Sequence, residues 1–155
     1  WQRLLERRLA VIAATRQFRA HVERELGFQE LIQRDHPRLQ FAGTIEGQDD
    51  PITNMRMTLD LLEKFPDLCG IYNVGGSSEG IGMALRRTGR ARQVRLIGHG
   101  FGQDTRRMLR DGDMLAVLTH RTRTLLEVML DQLHASVPPA PLPMQIIFPT
   151  NLPEA

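Results

Sequence analysis

The stretch from Asp67 to His99 limits the fold more than any other part of this chain. It reads Asp67-Leu-Cys-Gly-Ile-Tyr-Asn-Val-Gly-Gly-Ser-Ser-Glu-Gly80, continues as a helical run to Gly89, and ends in Val94-Arg-Leu-Ile-Gly-His99. A short apolar run, a glycine turn, a helix and a second apolar run spell strand, loop, helix, strand. The helix carries the chain back to the end where it began, so the two strands lie parallel. In such a unit the strand C-termini open onto a crevice where small ligands bind.

The same unit occurs before and after it. Leu9 to Ala14 is a short apolar strand, and Val22, Leu26, Leu31 and Ile32 set a helix from Arg19 to about Arg34, stopped by Pro37. Leu39 to Ile45 is a second strand, followed by the loop Glu46 to Pro51. Pro51 suits the first turn of a helix, with Asp50 as its N-cap and Met55, Leu59, Leu62 and Phe65 on one face. Cys69 to Val74 is the third strand, and a helix from about Ser77 to Arg87 is closed by Gly89. Val94 to Gly98, a helix from about Gln103 to Arg110, and Leu115 to Thr119 complete the alternation. Residues 122 to 135 form an amphipathic helix with Leu125, Leu126, Met129, Leu130 and Leu133 apolar. Pro138 to Pro143 reads as an extended linker, and Met144 to Phe148 as a last strand.

Strands alternating with helices predict an α/β fold, a mainly parallel sheet flanked by helices on both faces. The loops at residues 15–21, 46–50, 73–77, 99–104 and 119–121 then gather at one rim. Function is expected there.

Composition narrows the classes. With 155 residues, 41% hydrophobic and 25% charged, the chain can bury a real core. No apolar run approaches the roughly 18–20 residues that span a bilayer, and the charged start Trp1-Gln-Arg-Leu-Leu-Glu lacks a signal-peptide core. The expectation is a cytoplasmic protein with no membrane partner. Cys69 is the lone cysteine, which excludes an internal disulfide, and in an apolar strand it reads as a buried small hydrophobe. Net charge is +2, and the arginines are scattered rather than gathered on a nucleic-acid face. A start at Trp1 without Met gives the expectation that the chain is a piece of something longer.

Three catalytic or cofactor patterns fail on the residues. Gly75-Gly-Ser-Ser-Glu-Gly80 has the wrong spacing for a dinucleotide loop, and the strand after it ends in Gly98-His-Gly100 without an acidic residue for a ribose. Ser77 or Ser78 fails the nucleophile-elbow pattern at its last glycine. Two histidines with Asp49 lack any helical ligand spacing for a metal. The expectation is a binding protein with no cofactor and no metal, and a small α/β enzyme is the weaker alternative.

A series of ordered marks then carries a resemblance. These are Leu9-Ala-Val-Ile-Ala-Ala followed by Arg24-Glu-Leu-Gly-Phe28, Leu68-Cys-Gly-Ile-Tyr-Asn73, Gly80 and Gly89, Val94-Arg-Leu-Ile-Gly-His99, Asp111-Gly112 with Ala116-Val-Leu-Thr-His120, and Asn151-Leu-Pro153. In this order they resemble the effector-binding part of lactose-repressor/galactose-repressor family regulators, which share a fold with periplasmic sugar-binding proteins. The resemblance implies that residues 1–119 are the C-terminal lobe of a type I periplasmic-binding-protein-like domain. Residues 120–155 would be a crossover helix and a terminal strand belonging partly to a first lobe. It further implies a homodimeric transcriptional regulator that reaches operator DNA through an N-terminal head outside this sequence. A periplasmic sugar-binding protein of an uptake system is the alternative.

The resemblance also implies a ligand set. Arg24 sits at the family's ligand arginine, suited by its fixed fork to grip adjacent oxygens. Asp49, Asn73, Gly75, His99 and His120 fall on or beside rim positions, and Arg16, Phe18 and His21 line the first loop. Gly100 stands where most members carry aspartate and His120 where many carry glutamine. With sugar acceptors missing and cations present, the expected effector is a sugar or a sugar acid or phosphate.

Overall fold

A computed structural model describes residues 7–134 and 142–153. Trp1 to Glu6 and most of the proline segment, residues 138–141, lie outside the described residues. The elements are β1 (Arg7–Ala13), α1 (Arg19–Asp35), β2 (Leu39–Glu46), α2 (Pro51–Lys64), β3 (Leu68–Asn73), α3 (Ser78–Arg87), β4 (Arg95–His99), α4 (Gln103–Asp111), β5 (Ala116–Thr119), α5 (Thr122–His134), β6 (Gln145–Ile147) and a 3₁₀ turn (Pro149–Asn151). The alternation read from the sequence is the one observed.

The six strands form one sheet in the order β2-β1-β3-β4-β5-β6. The first five are parallel, and β6 joins β5 antiparallel with Val117 opposite Ile147. The chain steps outward from β1 to β2 and then returns past β1 to β3. Strand order reverses at that point, and the C-terminal ends of β1 and β3 therefore diverge into a crevice.

The two sheet faces are packed differently. On one, Ala10 and Ile12 of β1, Ile71 of β3 and Leu96 of β4 meet Leu61 and Leu62 of α2, Ile81 and Leu85 of α3, and Met108 and Leu109 of α4. Fully burying a side chain of this size contributes about 1.5–3 kcal/mol, so this cluster is the main source of stability. Helices α2 and α3 come close where Gly80 faces the Pro51 carbonyl, and a Cβ at Gly80 would lie 2.1 Å from that oxygen. On the other face, Val11, Ala13 and Val74 form a smaller cluster with Phe28 of α1, Phe41 and Tyr72.

Two helix faces differ from the expected ones. In α1 the residues that go inside are Ile32 and, unexpectedly, Glu25, while Leu26 and Leu31 stay exposed. The Arg16 guanidinium meets the Glu25 carboxylate at 3.0 Å, which lets a charged side chain lie buried. In α2 the buried positions are Asn54, Thr58, Leu61 and Leu62, not Met55 and Leu59. Asn54 goes inside to donate to the Gly76 and Ser77 carbonyls. Asp50 caps α2 as expected, accepting from Thr53 N at 2.7 Å.

Helix α5 stands apart: none of its residues is buried, and Leu126, Met129, Leu130 and Leu133 are exposed. Cys69 is half-buried rather than buried, in a groove beside α1. No described helix is long and apolar enough to cross a membrane.

Candidate functional site

The rim at the C-terminal ends of β1, β3, β4 and β5 is built from loops held in demanding backbone geometry. Gln48, Asp49 and Ser77 have φ of 58°, 53° and 52°, the left-handed region that non-glycine residues enter at a cost. Hydrogen bonds between the loops hold them there. Asp49 Oδ1 accepts from Gly76 N at 2.6 Å, and Ser77 Oγ donates to the Asp49 carbonyl at 2.5 Å. From α2, Asn54 Nδ2 donates to the carbonyls of Gly76 and Ser77. From β3, Asn73 Nδ2 donates to Gly76 O and Ser78 Oγ, both at 2.8 Å.

Three expected ligand residues take part in this lock. Asn73 has no exposed surface, and its amide is occupied by its own loop, so it braces the rim. Gly75 is buried, and a Cβ there would lie 2.4 Å from Asp49 Oδ1 and 2.9 Å from Ala14 N. Its role is close approach of two loops. Asp49 is exposed, but one carboxylate oxygen is committed to Gly76 N.

Other expected residues do converge. Arg24, on α1, reaches across to donate from Nη1 to the Val74 carbonyl at 2.6 Å, just beyond the end of β3. One N–H is so used, and a guanidinium carries five. His99 ends β4 with Nε2 2.6 Å from Tyr72 Oη. Burial raises the Tyr72 pKa, so the phenol keeps its proton and can donate it to a neutral imidazole. Burial first, and then the charges of Arg24, His21 and His120, lower His99 from 6.5 to about 4. His99 is therefore neutral at pH 7, inside a ring of groups that carry or can carry positive charge.

The first loop adds an aromatic and a fixed ion pair. Phe18 precedes α1, is 55% exposed, and meets the His21 ring edge-on at 5.3 Å between centroids. His21 Nδ1 is buried with no hydrogen-bond partner among the described residues. Arg16 is exposed, but its guanidinium is held by Glu25.

Two hollows open at the rim. One of about 330 Å³ is lined by Gly76, Ser77, His99, Phe101, Asp104 and Thr105. The other, about 830 Å³, is lined by His120, Thr119, Arg121, Gln145 and again Phe101, which makes the two neighbours. His120 is exposed, with Nδ1 3.4 Å from the Pro143 carbonyl. A separate groove of about 660 Å³ lies over the α1 face of the sheet, lined by Leu9, Phe28, Tyr72, Arg95 and Ile97. It runs toward the N-terminal ends of the strands and is not part of the rim.

Sequence reasoning passed over Tyr72, Asn54, Glu25 and Phe101. Tyr72 had a usable signal: a phenol in an otherwise apolar strand needs a partner for its hydroxyl. Asn54 and Glu25 had none, because their roles depend on what other loops place beside them. Among the described residues, no group of three His, Cys, Asp or Glu side chains comes together to hold a metal.

Residues 5–137 match the family model described as a periplasmic binding protein domain. No curated protein matches the chain by sequence. Among solved structures it is similar to an arabinose-binding protein from Geobacillus stearothermophilus, at 21% identity and a TM-score of 0.80 over 97% of this chain and 57% of that one. It is similar also to an ABC transporter solute-binding protein from Agrobacterium vitis with bound D-fucose, at 22% identity and a TM-score of 0.82 over 95% and 56%. A third is a carbohydrate transporter solute-binding protein from Agrobacterium radiobacter in complex with D-arabinose, at 16% identity and a TM-score of 0.81 over 94% and 52%. At these identities the likeness is one of fold. The chain spans little more than half the length of these structures.

Proposed function

This chain belongs to the periplasmic binding protein domain family, and from that premise we propose that it is one lobe of a two-lobed protein that captures a sugar or sugar derivative. The observation that carries the reading is the convergence of Arg24, His21, Tyr72 and His99 at the point where strand order reverses. The lobe would supply half of the pocket, and the ligand would favour the closed form only through its greater affinity for it. In this reading residues 1–119 are the C-terminal lobe, and α5 packs against the other lobe.

Capture for uptake is the better supported form of the proposal. The similar structures are described as sugar-binding or solute-binding proteins, and two of them hold a sugar. The regulator reading rests on the ordered sequence marks alone, and with it go the homodimer, the operator DNA and the cytoplasmic location. Uptake would place the lobe outside the cytoplasmic membrane, and cell fractionation separates the two.

A thermal-shift screen tests the reading directly. Neutral sugars, sugar acids and sugar phosphates are compared on the wild type and on Arg24→Ala. At least one should raise the melting temperature of the wild type and not of the variant. A shift of equal size in both proteins would place binding away from this rim and sink the proposal.

A further inference from the structure

The ring around His99 is one-sided in charge. Four elements build it: α1 brings His21 and Arg24, β3 brings Tyr72, β4 ends in His99, and His120 follows β5. The charges acting on His99 are those of Arg24, His21 and His120, with no carboxylate among them. Rim carboxylates exist but are turned to other tasks. Glu25 accepts from Arg16 and Gln29, Asp49 from Gly76 N, and Glu46 from Arg16 N. Only Asp104, in the first turn of α4, borders the hollow that His99 lines.

A neutral sugar asks for hydroxyl-proton acceptors, and this ring offers mainly donors. Arg24 keeps N–H groups beyond the one given to Val74 O, and His120 is open to solvent. His21 Nδ1, buried without a partner among the described residues, adds an unmet polar atom on the same side. An anion seated here would meet the Arg24 guanidinium, which no carboxylate pairs among the described residues, and charge-assisted hydrogen bonds of this kind are about twice as strong as neutral ones.

Building on the reading of a ligand-binding lobe, we propose that the ligand is a sugar derivative carrying an oxyanion. Its carboxylate or phosphate sits among Arg24, His99 and His120, and its hydroxyls turn toward Asp104 and Ser77. The groups that face it are Arg24, His21, Tyr72, His99 and His120, with Asp104 opposite.

Isothermal titration of the whole chain tests this with gluconate, galacturonate, glucose 6-phosphate and ribose 5-phosphate against glucose, arabinose and fucose. At least one anion should bind tenfold more tightly than its neutral counterpart. Whether carboxylates or phosphates lead identifies the anion. His120→Gln, at an exposed position that leaves the fold intact by circular dichroism, should weaken anions several-fold and neutral sugars by less. Neutral sugars binding as tightly as the anions would overturn the oxyanion and keep the capture reading. No binding by any of the seven, in titration or in histidine NMR signals at millimolar ligand, would overturn both.

Discussion

The two faces of the sheet divide the work. One is closed by α2, α3 and α4 over an apolar cluster that includes Ile12, Ile81, Leu85, Leu96 and Leu109. The other carries α1 with a smaller cluster, an open groove, and at its rim the polar set Arg24, Tyr72 and His99. Such a division is physically sensible. Close packing gives rigidity, and a rigid sheet holds rim groups whose conformations are individually costly. Leu85→Ala is the substitution that should cost most. Leu85 is fully buried in the main cluster, and such truncations cost about 2–5 kcal/mol. Urea unfolding measures it, and a loss below about 1 kcal/mol would mean the three-helix face is loosely packed.

Gly80→Ala tests the same face by overfilling it. The added methyl would meet the Pro51 carbonyl, which is backbone and cannot rotate away, so α2 and α3 must separate. A cost of about 1–3 kcal/mol is expected, against a gain near 1 kcal/mol for Gly→Ala in an unobstructed helix. Denaturant midpoints settle the sign, and a stabilised variant would show that the helices lie farther apart in solution.

The polar face should show itself in acid. His99 is neutral when folded and protonates only near pH 4, whereas the unfolded chain takes up that proton near 6.5. Between those values the unfolded state binds a proton that the folded state lacks. The contribution of His99 is therefore present above about 6.5, falls as pH drops toward 4, and is fully lost below it. Urea midpoints of wild type and His99→Gln, taken from pH 7.5 to 4, should converge as the wild type loses this contribution. Curves that stay parallel would mean that His99 protonates as freely in the folded chain as in the unfolded one.

The same division explains what could be read in the sequence. Strand and helix order was legible throughout, because apolar runs and breakers such as Pro37, Pro51, Gly89 and Gly112 are local signals. Sidedness was less so. In α2 the apolar residues Met55 and Leu59 pointed to one face, yet the helix turns Asn54 and Thr58 inward, and Asn54 there donates to the Gly76 and Ser77 carbonyls. At the rim, the resemblance pointed to Arg24 and His99, and the fold brings both near Tyr72. The bonds that tie Asn73 and Gly75 into the rim were not legible, because they involve Asp49, Asn54 and Ser77, far apart in sequence.

Helix α5 belongs to neither face, and it sharpens the contrast by its expected silence. It is amphipathic like α3, yet α3 buries six of its residues and α5 buries none. An amphipathic pattern shows that a helix has a partner somewhere, not that the partner is this sheet. Leu130→Ala should therefore change the stability of this chain by no more than about 0.5 kcal/mol, the range of exposed substitutions. The equivalent truncation in α3 costs several times that. A loss above about 1 kcal/mol would mean the apolar face of α5 is covered in solution. If the loss also grew with protein concentration in the midpoint of thermal unfolding, the cover would be a second copy of the chain. If it did not, the helix would fold back on its own lobe, and the assignment of α5 to another lobe would fail.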